Sequence, residues 1–325
     1  MKADTLGTLK VRVAARRDEA EDIAGFDLVA TDGRPLPAFS AGSHIDVKLN
    51  DGLVRQYSLC NDPAESHRYA IAVLKDPATR GGSKAMHERI RVGDEIEIST
   101  PRNHFPLAHA ARRSLLLAGG IGVTPILCMA ERLAVTDADF EMHYCARSPE
   151  RTAFRERIGR SGFARRVQFH FDDGAPDQKL DIGAFLAAER DKEVHLYVCG
   201  PKGFMDAVLN GARAQGWPEP QLHYEFFSAA PAKSDGDTSF EVQLASSGKV
   251  IVVAKHQTVV DALAAAGVEI ATSCEQGVCG TCITRVLKGV PDHKDAYLTR
   301  EEQAANDQFT PCCSRARSSR LVLDI

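Results

Sequence analysis

Three cysteines in one short stretch, Cys274-Glu-Gln-Gly-Val-Cys279-Gly-Thr-Cys282, and a fourth at Cys312 constrain this chain more than any other feature. Four residues separate the first two, two separate the next pair, and a long gap precedes the last. By this spacing four thiolates hold a [2Fe–2S] cluster, two on each iron. A loop carrying three of the ligands has to wrap closely around the inorganic core. Gly277 and Gly280 suit it, because glycine adopts positive φ and lets the backbone approach. Amides of such a loop can then point at the cluster sulfurs, one lever on reduction potential.

Two rival readings are weaker. Structural zinc uses two short cysteine pairs, or a cysteine pair with a histidine pair, and the sequence has neither. Three cysteines this close are awkward to bridge as disulfides, and the N-terminus has no apolar signal core that would imply an oxidising compartment. Cys312 and Cys313 are adjacent, so the fourth ligand is open between them, with Cys312 favoured. Cys60, Cys128, Cys145 and Cys199 are expected as unpaired thiols, the first three in core positions.

At 325 residues the chain can hold two or three domains with substantial cores. Its 40 basic and 44 acidic residues nearly cancel, which argues against nucleic acid or an acidic membrane surface as partner. No apolar run reaches the length of a membrane span. A cytoplasmic protein is expected.

Residues 1–107 read as β-rich. Leu9–Val13, His44–Leu49, Tyr69–Leu74 and Glu95–Ser99 carry strand patterns with turns between them, which predicts an antiparallel barrel or sandwich. A helix is expected over Ser83–Arg91, led by Gly81, Gly82 and Ser83, and free amides at its start would suit a phosphate. Arg55-Gln56-Tyr57-Ser58 offers a cation for a phosphate, an aromatic face for a planar ring and a hydroxyl for a ring nitrogen. An ordinary strand with one core tyrosine is an equal reading of those four residues.

Residues 108–228 change character. The apolar run Ser114–Ala118 ends in Gly119-Gly120-Ile-Gly122-Val-Thr124-Pro125, and an amphipathic stretch follows. Strand, glycine turn, helix is a nucleotide-binding arrangement, although the spacing departs from Gly-x-Gly-x-x-Gly. Further strands are expected over Phe140–Cys145, Val167–Phe171 and Val194–Cys199. They end respectively in Arg147-Ser148, in Asp172-Asp173 and in Gly200-Pro201, with a helix over Phe204–Gln215. Alternating strands and helices predict a parallel sheet, whose ligands bind beyond the carboxyl ends of the strands, where all of these motifs fall. Residues 229–237 read as a linker and 238–325 as a separate module with a hairpin, Phe240–Leu244 and Val250–Val253, and a C-terminal strand.

Arg-x-Tyr-Ser-Leu, then Gly-Gly-Ile-Gly-Val-Thr-Pro, then Cys-Gly-Pro, then the cysteine loop resembles, across essentially the whole chain, the phthalate dioxygenase reductase family. The resemblance implies an FMN barrel, an NAD-binding α/β domain and a C-terminal β-grasp ferredoxin domain. By it Arg55 would contact the FMN phosphate, Tyr57 would pack on the isoalloxazine and Ser58 would bond near N5, with Gln56 in the same motif. Ala72, Val73 and Lys75 match the flavin-edge strand, and Gly81, Gly82 and Ser83 the phosphate loop. Gly119, Gly120, Gly122, Thr124 and Pro125 match the nicotinamide-side loop. Arg147, Ser148 and Asp173 fall where the adenosine ribose would lie. Cys199, Gly200 and Pro201 match the motif that brings a thiol near the reacting nicotinamide carbon, and Phe227 the aromatic that shields the flavin and moves to admit the nicotinamide. Cys312 aligns with the fourth cluster ligand.

The activity so implied is electron transfer from NADH through FMN to a [2Fe–2S] cluster and on to a Rieske-type terminal oxygenase, by a monomer. Alternatives are a cytochrome P450 or diiron hydroxylase as acceptor, or a redox-sensing electron carrier. Asp173 favours NADH by accepting from a ribose hydroxyl, while Arg147 and Arg151 pull towards NADPH. Glu275 and Gln276 are expected to be exposed on the cluster loop, where a partner would dock.

Overall fold

The computed structural model describes residues 7–49, 53–77, 81–108, 111–188, 193–227 and 236–325. The chain divides into two compact units, Met1–Phe227 and Ser228–Ile325.

In the first unit, β1 (Thr8–Ala20) buries Val11 and Val13 and leaves Arg12 exposed, the period of two that a half-buried strand requires. It pairs antiparallel with β2 (Ile23–Ala30). With β3 (Ser43–Lys48), β4 (Val54–Ser58), β5 (Tyr69–Leu74) and β6 (Glu95–Ser99) the sheet runs β4-β3-β6-β1-β2-β5, and a short β7 (Arg102–Asn103) pairs with β3. A bridge between Leu59 and Ile71 returns the end of β4 to β5, so the sheet curls into the expected barrel. Phe26, Leu28, Ile45, Leu59 and Ile98 fill it. The helix α1 (Gly82–Arg89) buries Ala85 and Met86 beneath its rim and ends short of Arg91, because Ile90 is already extended.

A second sheet follows, of β8 (Arg113–Gly119), β9 (Asp139–Ala146), β10 (Val167–Phe171), β11 (Val194–Cys199) and β12 (Leu222–Glu225). All five are parallel, in the order β10-β9-β8-β11-β12. β8 is apolar throughout because both its faces are covered. Leu116 packs with α2 (Val123–Val135), while Leu115 and Leu117 pack with α4 (Ile182–Ala188) and α5 (Lys202–Ala214). A short α3 (Arg155–Gly159) lies between β9 and β10. The strand order reverses between β8 and β11, and such a switch point opens a crevice at the carboxyl ends.

In the second unit, β13 (Phe240–Leu244) and β14 (Val250–Val253) form the expected hairpin, and α6 (Val259–Ala265) is opened by a Thr258–Asp261 capping box. After β15 (Thr284–Lys288), β16 (Pro291–Asp292), α7 (Arg300–Ala305), β17 (Gln308–Phe309) and β18 (Arg315–Ala316), the last strand β19 (Arg320–Leu323) inserts beside β13. The sheet order is β14-β13-β19-β15-β17, with β13 and β19 parallel, and α6 packs Val259 and Leu263 onto it.

Of the expected linker, 229–235 lie outside the described residues, and its last residue is no free spacer. Asp237 pairs with Lys294 at 2.6 Å and Arg315 at 3.8 Å, and both cations are nearly buried and need that counter-charge.

Candidate functional site

The barrel rim gathers the first set of expected residues. β4 carries Arg55, Gln56 and Tyr57 partly buried and Ser58 buried, paired in register with β3 so that Ser58 lies opposite His44. Arg55 lies against Gly82. A Cβ there would meet the arginine Cγ at 2.5 Å, so only glycine lets the guanidinium stem cross the start of α1. Gly81, at φ 95, turns the chain into that helix, and Ser83 Oγ accepts from the Asp76 amide at 3.3 Å. Ala72 and Val73 alternate on β5. Val73 faces the barrel core and Ala72 the cluster that also holds Cys199, while Lys75 pairs with Glu88 at 3.1 Å.

The carboxyl ends of β8 and β11 bring the second set together. Gly122 backs directly onto Cys199, and a Cβ would sit 2.2 Å from the Cys199 carbonyl oxygen, a backbone atom that cannot yield. A Cβ on Gly200 would likewise meet Gly119 Cα at 2.9 Å. Gly120 (φ 52) leads into α2, Thr124 Oγ1 donates to the Ile121 carbonyl at 3.1 Å, and Pro125 sits in the first turn, where no amide is missed. Pro201 caps α5. Burial, and then the charge of Glu225, push the fully buried Cys199 thiol well up, so it stays protonated.

Glu225 is the residue that sequence reasoning missed. At the end of β12 it accepts a hydrogen bond from Ser58 Oγ at 3.2 Å, and it lies close enough to Cys199 to raise the thiol. Burial pushes its carboxyl up to about 7, and the Ser58 hydrogen bond pulls the other way. A carboxylate inside an otherwise aromatic stretch, Tyr224-Glu-Phe-Phe227, was the available signal. Phe227, expected as a shield, is 38% exposed, while Phe226 packs edge-on against Tyr224.

The loops after β9 and β10 meet, as the Asp173 amide donates to the Arg147 carbonyl at 3.1 Å. Arg147 and Asp173 are exposed and Ser148 partly so. Arg151 is engaged elsewhere, paired with Glu21 and Asp22 of the barrel. A cavity of about 870 Å³, lined among others by Arg17, Asp27, Cys60, Arg68 and Arg157, contains none of the expected site residues.

In the second unit Cys274, Cys279, Cys282 and Cys312 are all buried. Cys274 contacts Cys279 and Cys312, and Cys312 also contacts Cys282, so the four thiols meet in one place. The Gln276 and Val278 amides donate to Cys274 Sγ at 3.4 and 3.5 Å, and the Thr281 amide to Cys279 Sγ at 3.4 Å. The loop turns at Glu275, Gly277 and Gly280, all at positive φ. The Cys313 thiol meets Cys312 as well. Its thiol lies 3.3 Å from Thr310 Oγ1 and 3.8 Å from Ser314 Oγ, and it fills the space where a Gly277 Cβ would stand. Glu275 is exposed as expected, and Gln276 is half-buried.

The 2Fe-2S iron-sulfur cluster binding domain family matches residues 242–317. A vanillate O-demethylase oxidoreductase of Pseudomonas putida is 60% identical over 314 residues, 96% of this chain and 98% of the relative. The chain belongs to the phthalate dioxygenase reductase family. A solved phthalate dioxygenase reductase, described as a modular structure for electron transfer from pyridine nucleotides to [2Fe–2S], superposes with a TM-score of 0.76 at 37% identity, covering 98% of both chains. An intact type IV self-sufficient cytochrome P450 monooxygenase superposes with a TM-score of 0.84 at 38% identity, covering 98% of this chain and 41% of that one. As a phthalate dioxygenase reductase relative the chain is an oxidoreductase, the reductase component of an oxygenase system, with FMN, NADH and a [2Fe–2S] cluster as cofactors.

Proposed function

We propose that this chain supplies electrons from NADH to a two-component Rieske-type oxygenase that acts on an aromatic acid of the vanillate class, working as a cytoplasmic monomer. The observation that carries the reading is the 60% identity to a vanillate O-demethylase oxidoreductase over nearly the full length of both chains.

The residues fit the groups. Arg55, the glycine turn at Gly81–Gly82 and Ser83 would hold the FMN phosphate, supported by a cradle that a single Cβ at position 82 would fill. Gly120, Gly122, Thr124, Pro125, Gly200 and Pro201 would line the crevice for the dinucleotide, with Arg147, Ser148 and Asp173 on its adenosine side. Cys274, Cys279, Cys282 and Cys312 would ligate the cluster, supported by their mutual contact and by amides already aimed at two of the sulfurs.

The chemistry FMN would supply when bound is to take one hydride, that is two electrons, from NADH and release those electrons one at a time to the cluster. What the chain does is position and insulate. Ser58 is buried and fixed by Glu225, so its hydroxyl is oriented before any ligand arrives. Glu225, its carboxyl raised to about 7 by burial, exchanges a proton around neutral pH next to that hydroxyl. Cys199, kept neutral, offers a compact polarisable wall instead of a charge. Phe227 is exposed enough to cover the flavin face and to swing aside.

The test is coupled turnover. Purified reductase, NADH and the oxygenase component of a vanillate O-demethylase are mixed, and reduction of the oxygenase's Rieske centre is followed by absorbance. Reduction dependent on both proteins is expected. NADH oxidation with artificial acceptors but none with the oxygenase would overturn the assignment. A second acceptor class has one observation in its favour, since this fold also forms about 41% of a cytochrome P450 monooxygenase. Reduction of a P450 haem in place of the Rieske centre would favour it.

A further inference from the structure

The turn between β1 and β2 belongs to the flavin barrel, yet it reaches the nucleotide side of the unit. Asp22 adopts φ 62, and its carbonyl accepts from the Lys75 amide at 2.7 Å, which ties the turn to the flavin-edge strand. The Glu21 amide donates to the Glu150 carbonyl at 2.9 Å, which ties it to the loop after β9. Between these two anchors the Arg151 guanidinium is held by the carboxylates of Glu21 and, at 3.6 Å, Asp22.

Arg151 starts from the place where a dinucleotide's adenosine ribose is read. Its amide donates to the Ser148 carbonyl at 3.2 Å, and the Ser148 loop is bonded to the Asp173 loop. An arginine at this end of a parallel sheet takes up the 2′-phosphate of NADPH, whereas a carboxylate takes the 2′-hydroxyl of NADH. Here the arginine side chain is instead engaged by two carboxylates. A neighbouring cation is also engaged, as Arg155 lies over the Phe171 ring at 5.7 Å. The three side chains are partly exposed, 33% for Arg151, 54% for Glu21 and 47% for Asp22. Ion pairs so wet contribute little to stability, so their consequence is where they hold the guanidinium.

We propose that Glu21 and Asp22 form a specificity clamp. By sequestering Arg151 they leave the ribose end to Asp173, and so set the site for NADH against NADPH. The inference rests on the sheet's carboxyl end being the nucleotide site of an NADH-dependent reductase. It assigns a specificity role to the flavin barrel, acting through one arginine of the other sheet.

The test is the ratio of kcat/KM for NADPH to that for NADH, read as cytochrome c reduction by the FMN-loaded protein. Wild type is compared with E21Q, E21Q/D22N and E21Q/D22N/R151Q. The neutral isosteres preserve volume, and flavin absorbance reports intact folding. If the clamp operates, the double variant raises the ratio by about fivefold or more, and adding R151Q returns it to the wild-type value. The single variant gives part of the gain and serves if the double variant folds poorly. Arg147 is unchanged throughout and gives a constant background. A clamp that is only a staple would lower both efficiencies together, and an unchanged ratio overturns the proposal. A gain that persists with R151Q assigns the effect to the carboxylates alone and also overturns it. A wild-type preference for NADPH would instead overturn the underlying NADH reading, whatever the variants do.

Discussion

The Ser58 hydroxyl meets the Glu225 carboxylate at 3.2 Å across 167 residues of chain, joining the end of β4 in the barrel to the end of β12 in the parallel sheet. Neither residue is oriented by its own strand alone. The carboxyl is raised to about 7 by burial, and the serine hydrogen bond opposes that rise.

Flavin reduction by NADH should therefore depend on pH with an apparent pKa near 7. Glu225→Gln should remove that dependence, and Ser58→Ala should move it upward, because the hydrogen bond that favours the ionised form is lost. Anaerobic stopped-flow traces across pH 5.5–8.5, roughly centred on the value for Glu225, check this. The same linkage has a defined sign for stability. A carboxyl whose folded pKa is raised contributes stability below its unfolded value, and the contribution is lost as pH rises from about 4.5 through about 7. The Gln variant should show a flatter stability profile in that window.

The adjacent cysteines should part company. Cys312→Ser is expected to abolish the visible cluster absorbance or shift its spectrum strongly, since Cys312 contacts both Cys274 and Cys282. Cys313→Ser should keep the cluster, because its thiol bonds Thr310 and Ser314 as well as Cys312, and a hydroxyl can replace it in those bonds. The reverse pattern in absorbance and electron paramagnetic resonance would reassign the fourth ligand. Gly277→Ala, at φ 72 and with only 2.4 Å to the Cys313 sulfur, should lose cluster as well.

FMN retention should track Arg55. Arg55→Ala is expected to weaken FMN binding by about tenfold or more, the scale of one charge-assisted phosphate contact. Gly82→Ala should weaken it less, because its Cβ displaces the stem of the arginine without removing the charge. Fluorescence of released flavin against protein concentration gives both values.

Mild acid should destabilise the first unit through its histidine pairs. His195 Nδ1 and His223 Nε2 lie 2.8 Å apart across β11 and β12, and His143 Nδ1 and His170 Nε2 2.9 Å apart across β9 and β10. Burial lowers all four, and burial with the neighbouring His195 lowers His223 to about 4. A histidine whose folded pKa is depressed contributes stability above its unfolded value, about 6.5, and the contribution is lost as pH falls towards 4. Thermal unfolding at pH 7.5 and about pH 5 should show the loss. His223→Gln should lessen it by on the order of 1 kcal/mol after solvent screening.

Much of this molecule is local in origin, and so it was legible in the residues. The cysteine spacing, the apolar run of β8 and the glycine turn after it are properties of consecutive residues, because period and loop length are set by covalent geometry. The barrel, the parallel sheet and the C-terminal module followed from those patterns. β2 and α7 escaped because Ile23–Ala30 and Arg300–Ala305 carry no clean periodicity of their own.

The sequence by itself determined which chemical groups are present and at what spacing: three cysteines on one loop, glycines where backbones must touch, an Arg-x-Tyr-Ser strand end. Tertiary structure decided which of two adjacent cysteines meets both Cys274 and Cys282, which carboxylate stands behind Ser58, and which carboxylates Arg151 pairs with. Each of those depends on contacts between residues far apart in the chain. Burial, charge pairing and hydrogen bonding there arise only once two sheets or two loops have packed, and spacing along the chain carries no record of them.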